Sequence, residues 1–165
     1  MDRLNYQRTL QKQLPVAEWR LVYTTSGTRL CAAVVRDQSV LINSKLYWVP
    51  AQSENEAHFL SGVLNSRLVQ DWVNPRQSKG LFGPRDFHRV PLTLPIPEFD
   101  HTLPVHLEIA TLSGKAESIS ADLDIVTPNK FKKARTLVEE EILRLGLAQD
   151  LDDLVSALGM VSSKQ

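Results

Sequence analysis

Short runs of β-branched and aromatic residues, separated by turn-forming residues, fill the chain between residues 19 and 49. Such runs are typical of strands joined by tight turns, and they predict an antiparallel sheet of three or four strands. Asn43 and Ser44 interrupt the pattern, so we expect a bulge or a turn there that redirects Lys45. The predicted strand segments are residues 19–25, 28–35, 40–42 and 45–49.

The spacing of apolar residues becomes helical after residue 52. Ser53 and Glu56 have the spacing of a capping box, in which a hydroxyl and a carboxylate accept from backbone amides at a helix start. Apolar residues then recur every three or four positions, which predicts one helix over residues 53–72 with its apolar face on the sheet. Pro75 lies just beyond its end. A short polar helix over residues 3–14 is predicted as an N-terminal tether.

The second half of the chain begins with a proline-punctuated run and is then helical. Three prolines remove backbone donors from residues 90–97, which predicts an extended segment at a sheet edge or in a surface groove. Helices are predicted over residues 103–123, from Thr127-Pro128 to Gly146, and after a cap at Asp150.

These elements predict an α+β fold, in which a small antiparallel sheet packs on a central helix and a helical C-terminal region follows. Residues 1–100 are interpreted as the α+β core with its helical tether, and residues 101–165 as a helical brace or docking region. Both fit within one structural domain, because a chain of 165 residues with 42% hydrophobic residues can bury one sizeable core.

The charge of the chain is zero overall but unevenly distributed. Residues 1–90 contain 12 Lys and Arg against 7 Asp and Glu, whereas residues 91–165 contain 7 against 12. A split of this kind suggests one face for a polyanion and another for a different partner. Chance, combined with solvated helix faces, is an equally good explanation of the counts.

The single cysteine, Cys31, excludes an internal disulfide and a thiolate metal cluster, and it lies in an apolar run where a buried, inert thiol is expected. No run approaches the roughly 18 apolar residues of a membrane span, and the polar N-terminus does not resemble a signal peptide. We therefore expect a cytoplasmic protein that does not contact a membrane.

The sequence contains none of the common signatures of catalysis. There is no glycine-rich nucleotide cradle, no phosphate loop, no zinc-protease motif and no serine elbow. The four histidines fall in different segments without metal-ligand spacing, and they are interpreted as surface or capping residues. We expect no catalytic residue, no metal site and no bound cofactor, so the chain is not predicted to be an enzyme on its own.

Polar and basic residues in the predicted turns and loops instead favour binding. Such side chains are the usual donors to phosphates, and arginine and asparagine also make paired contacts to purine edges. Turn-forming residues favour turns in any protein, so this argument is strongest for the cations around the loop at 74–84. The residues predicted to contact phosphates or purine edges are Arg76, Lys79, Arg85 and Arg89. Those predicted to position a duplex are Ser26, Thr28, Asn43 and Lys45.

Five short motifs follow one another in a recognisable order. They are Tyr23-Thr24-Thr25-Ser26-Gly27, Leu46-Tyr47-Trp48, Leu64-Asn65-Ser66, Gly80-Leu81-Phe82-Gly83-Pro84-Arg85-Asp86-Phe87-His88 and Leu94-Pro95-Ile96-Pro97. The succession resembles the C-terminal region of large bacterial adenine-specific DNA methyltransferases of restriction-modification systems, including fused single-chain restriction enzymes. The resemblance covers roughly residues 3 to 123.

That region follows the catalytic domain of the family and includes its target-recognition part. The family's catalytic domain carries a glycine-rich cofactor motif and an Asn-Pro-Pro-Tyr-like tetrapeptide, and neither is present, since Asn74-Pro75 is followed by Arg76-Gln77. The resemblance thus implies a non-catalytic module that reads double-stranded DNA, partnered by a methyltransferase catalytic domain or subunit that binds S-adenosylmethionine. The alternative is a protein-docking module that binds a catalytic methyltransferase or endonuclease subunit through its acidic helices. A small nuclease is a weaker third possibility, because no carboxylate cluster with a nearby lysine is evident.

Overall fold

A computed structural model describes residues 8–81, 83, 84, 86, 87, 89–123 and 131–160. Its strands are β1 (Trp19–Thr24), β2 (Ala32–Val35), β3 (Leu46–Ala51), β4 (Lys79–Gly80) and β5 (Gly83–Pro84). Its α-helices are α1 (Glu54–Asn65), α2 (Arg67–Val73), α3 (Pro104–Asp122), α4 (Phe131–Arg144) and α5 (Leu147–Ala157). Short 3-10 turns occur at Gln11–Gln13, Asn74–Arg76 and Val90–Thr93.

The main sheet has three antiparallel strands in the order β2-β1-β3. The central strand β1 is buried on both faces, because Leu21 and Tyr23 join the core that contains α1, while Arg20 and Val22 point to the opposite face and are also buried. With helices α3 to α5 following, the predicted α+β fold is confirmed.

The connection between β2 and β3 covers that second face. Both strands are antiparallel to β1, so residues 36–45 have to run the length of β1 before β3 can begin. Ile42 is buried along this path and is held by the Gln13 side chain, which both donates to and accepts from its backbone at 2.8 Å. The predicted strand at residues 40–42 is therefore wrong, because these residues cross the sheet instead of pairing in it.

A break at Ser66 divides the predicted helix over residues 53–72 into α1 and α2. The predicted cap forms: Ser53 Oγ accepts from the Glu56 amide at 3.1 Å, and the Glu56 carboxylate reaches back to the Gln52 amide, one residue before the N-cap, at 2.5 Å. Ser66 has extended backbone angles (φ −64°, ψ 150°), and its hydroxyl donates to the Val63 carbonyl and caps α2. The apolar residues keep their helical spacing across Ser66, so the sequence pattern did not reveal the break at this position.

Helix α3 packs closely against α1 at Gly62. A Cβ atom at this position would lie 2.9 Å from Ile109 Cγ2 and 3.3 Å from the Ile109 carbonyl oxygen, so glycine permits the close approach. The core at this contact includes Phe59, Val63 and, from α5, Val155, all essentially inaccessible to solvent. The C-terminal helices consequently share one core with the sheet.

Two further details differ from the sequence predictions. Residues 90–97 are not extended throughout, because Val90–Thr93 forms a 3-10 turn and, after the extended Leu94, the Ile96 amide donates back to the Leu94 carbonyl at 2.8 Å. Asp150 lies inside the first turn of α5, whose N-cap is Gly146 with a left-handed backbone (φ 74°). The predicted start at Thr127-Pro128 lies outside the described residues.

None of the helices in the described ranges combines the length and the apolarity needed to cross a bilayer.

Candidate nucleic-acid interface

The turn between β1 and β2 is the meeting point of several distant segments. The Phe87 amide donates to the Thr25 carbonyl at 2.8 Å, and the Thr25 hydroxyl donates to the Lys45 carbonyl at 2.9 Å. The Gln77 side chain donates to the Gly27 carbonyl at 2.5 Å, and Ser26 pairs with Asp86 as an isolated bridge. We call this end of the sheet the turn surface; it comprises residues 25–30, 43–45, 76–79, 86, 87 and 89.

Most of the residues predicted from sequence to bind DNA lie on the turn surface. Those whose side chains are described are all exposed: Ser26, Thr28, Asn43, Lys45, Arg76 and Arg89. The backbone of Lys79 pairs with Pro84 in the β4–β5 ladder, and Arg85 lies outside the described residues. The fold thus brings together side chains that are separated by up to about sixty positions in the sequence.

Two of the exposed arginines have defined environments. The Arg76 guanidinium lies 4.2 Å from the centre of the Trp72 ring and donates to the Trp72 carbonyl at 2.8 Å. This stacking restrains a long side chain while leaving it open to solvent. Arg89 lies close enough to Tyr23 for its charge to influence the phenol, and Tyr23 stacks on Tyr47 with ring centres 5.3 Å apart.

Ion pairs within the protein neutralise part of the positive charge of the first half with part of the negative charge of the second half. Basic residues of the first half meet acidic residues of the C-terminal helices in the pairs Arg29–Glu139 (2.7 Å), Arg36–Glu117 and Arg67–Asp152 (2.5 Å). Arg29 and Arg67 are therefore already paired with carboxylates of the same chain and are less available to a polyanion. By contrast, Lys45, Arg76 and Arg89 have no carboxylate within 4 Å among the residues that the structure describes.

The Leu-Asn-Ser motif has a structural role in the fold. The Asn65 carboxamide accepts from the Ala32 amide and donates to the Ala32 carbonyl, both at 2.9 Å. It therefore hydrogen-bonds to the outer edge of β2 as a neighbouring strand would. Ser66 ends α1 and caps α2, so both polar residues of the motif are used in positioning the sheet on the helices.

Two of the histidines are buried, which corrects their interpretation as surface residues. His58 lies between α1 and α3, with Nε2 2.9 Å from an Arg36 nitrogen. His106 packs on Phe59, and its Nδ1 accepts from the Asp100 amide at 3.0 Å. In the described part of the chain, no group of three or more His, Cys, Asp or Glu side chains is arranged to hold a metal ion.

Tyr23 predicts a loss of stability at alkaline pH. Its burial is the main cause that raises the pKa of the phenol well above its ordinary value near 10; Tyr47 adds to the increase and Arg89 opposes it. Because the pKa of Tyr23 is higher in the folded than in the unfolded state, the neutral phenol makes its full contribution to the free energy of unfolding below about pH 10. That contribution decreases as the pH rises further. We expect the free energy of unfolding to decrease above pH 10 by up to about 1.4 kcal/mol per pH unit from this group.

Urea titrations at pH 9 and pH 11 would measure this decrease. Other tyrosines and lysines titrate in the same range, so the comparison is with Tyr23→Phe, which cannot ionise at this position. The variant should lose less stability than the wild-type protein between the two pH values. Equal losses would show that Tyr23 does not control the alkaline transition.

Comparison of the chain with models of protein families, with curated proteins and with solved structures returned no match.

Proposed function

We propose that this chain is a non-catalytic DNA target-recognition module of an adenine-specific DNA methyltransferase or restriction-modification enzyme, with duplex DNA bound at the turn surface. The observation that carries the proposal is the convergence of Lys45, Arg76 and Arg89 with Ser26, Thr28 and Asn43 at one end of the sheet. The resemblance of the chain to that enzyme family supplies the biological setting, in the bacterial cytoplasm.

The composition of the turn surface suits a sugar-phosphate backbone. Lys45, Arg76 and Arg89 are exposed and have no described carboxylate partner, so a phosphate would not have to displace an internal ion pair. Hydroxyl and carboxamide groups at Ser26, Thr28 and Asn43 add neutral donors beside these charges. Arg76 is already restrained by Trp72, which reduces the entropy lost when it engages a ligand.

In this proposal, a partner domain or subunit carries out the methylation. The chain lacks the catalytic motifs of the family, so S-adenosylmethionine and the flipped adenine would both be held by a methyltransferase catalytic domain or subunit. The role of this chain would be to position the duplex relative to that partner. Lys79 and Arg85 belong to the same loop and are proposed to extend the contact surface.

A groove between two C-terminal helices favours the docking alternative. It has a volume of about 440 Å³ and lies between α3 and α5, with Leu112 and Leu154 among its lining residues and Glu108, Asp150 and Asp153 beside them. An apolar floor with acidic edges would suit a basic, amphipathic segment of a catalytic subunit. Docking at this groove and DNA binding at the turn surface are compatible within one protein.

Binding of the chain to a pool of random-sequence duplexes, measured by fluorescence anisotropy at low and near-physiological salt, tests the proposed function. We expect binding that weakens with salt, because Lys and Arg contacts release condensed counterions from the phosphates. Selection of the bound duplexes should enrich a sequence. Absence of binding even at low salt would contradict autonomous recognition and favour the docking module.

A further inference from the structure

The turn between β1 and β2 is stabilised by hydrogen bonds to residues outside the turn. The Thr24 amide donates to the Cys31 carbonyl at 3.0 Å and closes the hairpin, but residues 25–30 make no backbone hydrogen bonds to one another. Gly27 has φ 136°, in a region that favours glycine and lacks the restraint of a regular turn. The conformation of this exposed loop therefore depends on the groups that contact it.

Three carboxamides contact the backbone of the loop and of β2; they come from the last residue of α1, from α2 and from the residue that follows the Asn74–Arg76 turn. Gln77 donates to the Gly27 carbonyl at 2.5 Å. The Gln70 side-chain oxygen accepts from the Leu30 amide at 2.9 Å, and Asn65 makes both of its bonds to Ala32. Gln77 is the member nearest to Ser26 and Thr28, and it holds the tip of the loop.

The Gln77 side chain makes one hydrogen bond, to the Gly27 carbonyl. The residue is 5% exposed, and its side-chain oxygen is buried without a hydrogen-bond partner. An unpaired buried acceptor is destabilising, and an apolar side chain of the same length would fill the space without that penalty. The benefit of glutamine at this position is the one hydrogen bond to Gly27, which fixes the loop that carries the exposed hydroxyls.

We propose that Gln77 is a positioning residue that preorganises the β1–β2 turn, so that Ser26 and Thr28 meet a phosphate backbone without further ordering of the loop. This inference rests on the proposed function, since the ligand is the duplex DNA proposed for the turn surface. Preorganisation raises affinity by removing the entropy that a mobile loop would lose on binding. It adds no charge contact, so it should not influence the salt dependence.

The variant Gln77→Met tests this inference. It removes the donor to Gly27 and also the unpaired oxygen, so the melting temperature should not fall. We expect duplex affinity to decrease about tenfold, with an unchanged slope of log affinity against log salt, because no phosphate contact is lost. Amide hydrogen exchange should accelerate at Leu30 and Cys31, whose amides donate to the Gln70 and Thr24 side chains beside the loop, even without DNA. Gln70→Met, which releases the Leu30 amide, should change affinity in the same direction.

Val155→Ala is the matched control, because it removes core contacts of α5 without touching the turn. It should lower the melting temperature and leave affinity unchanged well below that temperature. If Gln77→Met instead lowers the melting temperature as Val155→Ala does, Gln77 is a stability residue and the inference is wrong. Unchanged exchange at Leu30 and Cys31 would also overturn it. Failure of the wild-type protein to bind duplex contradicts the proposed function, while the exchange measurement still decides whether Gln77 orders the turn.

Discussion

Replacing Arg20 with alanine is expected to lower the free energy of unfolding by about 3 kcal/mol. Arg20 lies on the central strand β1 and is completely buried. Its two terminal nitrogens donate to the carbonyls of Val40 at 2.7 Å and of Asp37 at 2.6 Å. Both acceptors belong to the segment that crosses the sheet, so one side chain fixes the path of that connection.

Two physical losses contribute to this effect. Alanine removes the aliphatic stem that fills the space between the sheet and the crossing segment, and it leaves both carbonyls without their charged donor. Arg20→Met retains most of the apolar volume and should recover about half of the lost stability. Arg20 Nε is itself buried without a partner, which makes the native arrangement less favourable than a fully paired one.

Urea denaturation of the two Arg20 variants would separate the packing contribution from that of the hydrogen bonds. Arg144→Ala is the control, because this exposed arginine pairs with Glu141 on its own helix and its loss should leave stability unchanged. Equal stability of the wild type and Arg20→Ala would mean that residues 36–45 keep their path without the arginine. Faster exchange of the Val40 amide in the variants would locate the effect in the crossing segment.

The sequence predicted local structure well where that structure depends only on residues close together in the chain. Ser53 and Glu56 formed their capping box, and the alternating runs gave the three strands of the sheet. The crossing segment at residues 40–42 was missed because an apolar run is equally compatible with a strand and with a covering loop. The buried state of Arg20 was not predictable either, since arginine in a strand is usually exposed and only the topology places a loop over it.

In the candidate site, too, local features were predictable from the sequence and tertiary contacts were not. The tendency of Ser26, Thr28, Asn43 and Lys45 to occupy turns could be inferred from their residue types, but their proximity to Arg76 and Arg89 depends on tertiary contacts. Pairing of Arg29 and Arg67 with C-terminal carboxylates could not be inferred, because nothing local links partners about 85 to 110 positions apart. The burial of Gln77 and its bond to Gly27 could not be inferred, since a glutamine in a polar loop is usually exposed.

Simultaneous replacement of Lys45, Arg76 and Arg89 with alanine is expected to weaken duplex binding on the order of a hundredfold at low salt, from about 1 kcal/mol per lost phosphate contact. All three side chains are exposed on the turn surface, and none has a described carboxylate partner. The fold should be retained, because none of them is buried.

The salt dependence gives a more specific measurement than affinity alone. Each phosphate contact contributes about 0.9 to the slope of log affinity against log salt, so the loss of three contacts should reduce that slope by about 2.7. A change restricted to affinity, with the slope preserved, would indicate that these residues act on the conformation of the site and not on phosphates.

A second triple variant controls for net charge. Lys115, Lys133 and Arg144 are exposed cations of α3 and α4, and their replacement with alanine removes the same total charge from the C-terminal helices. If the turn surface is the binding site, this variant should keep nearly all of the wild-type affinity and salt slope. Equal weakening by both variants would show that DNA responds to the overall charge of the protein, and it would contradict a defined interface at the end of the sheet.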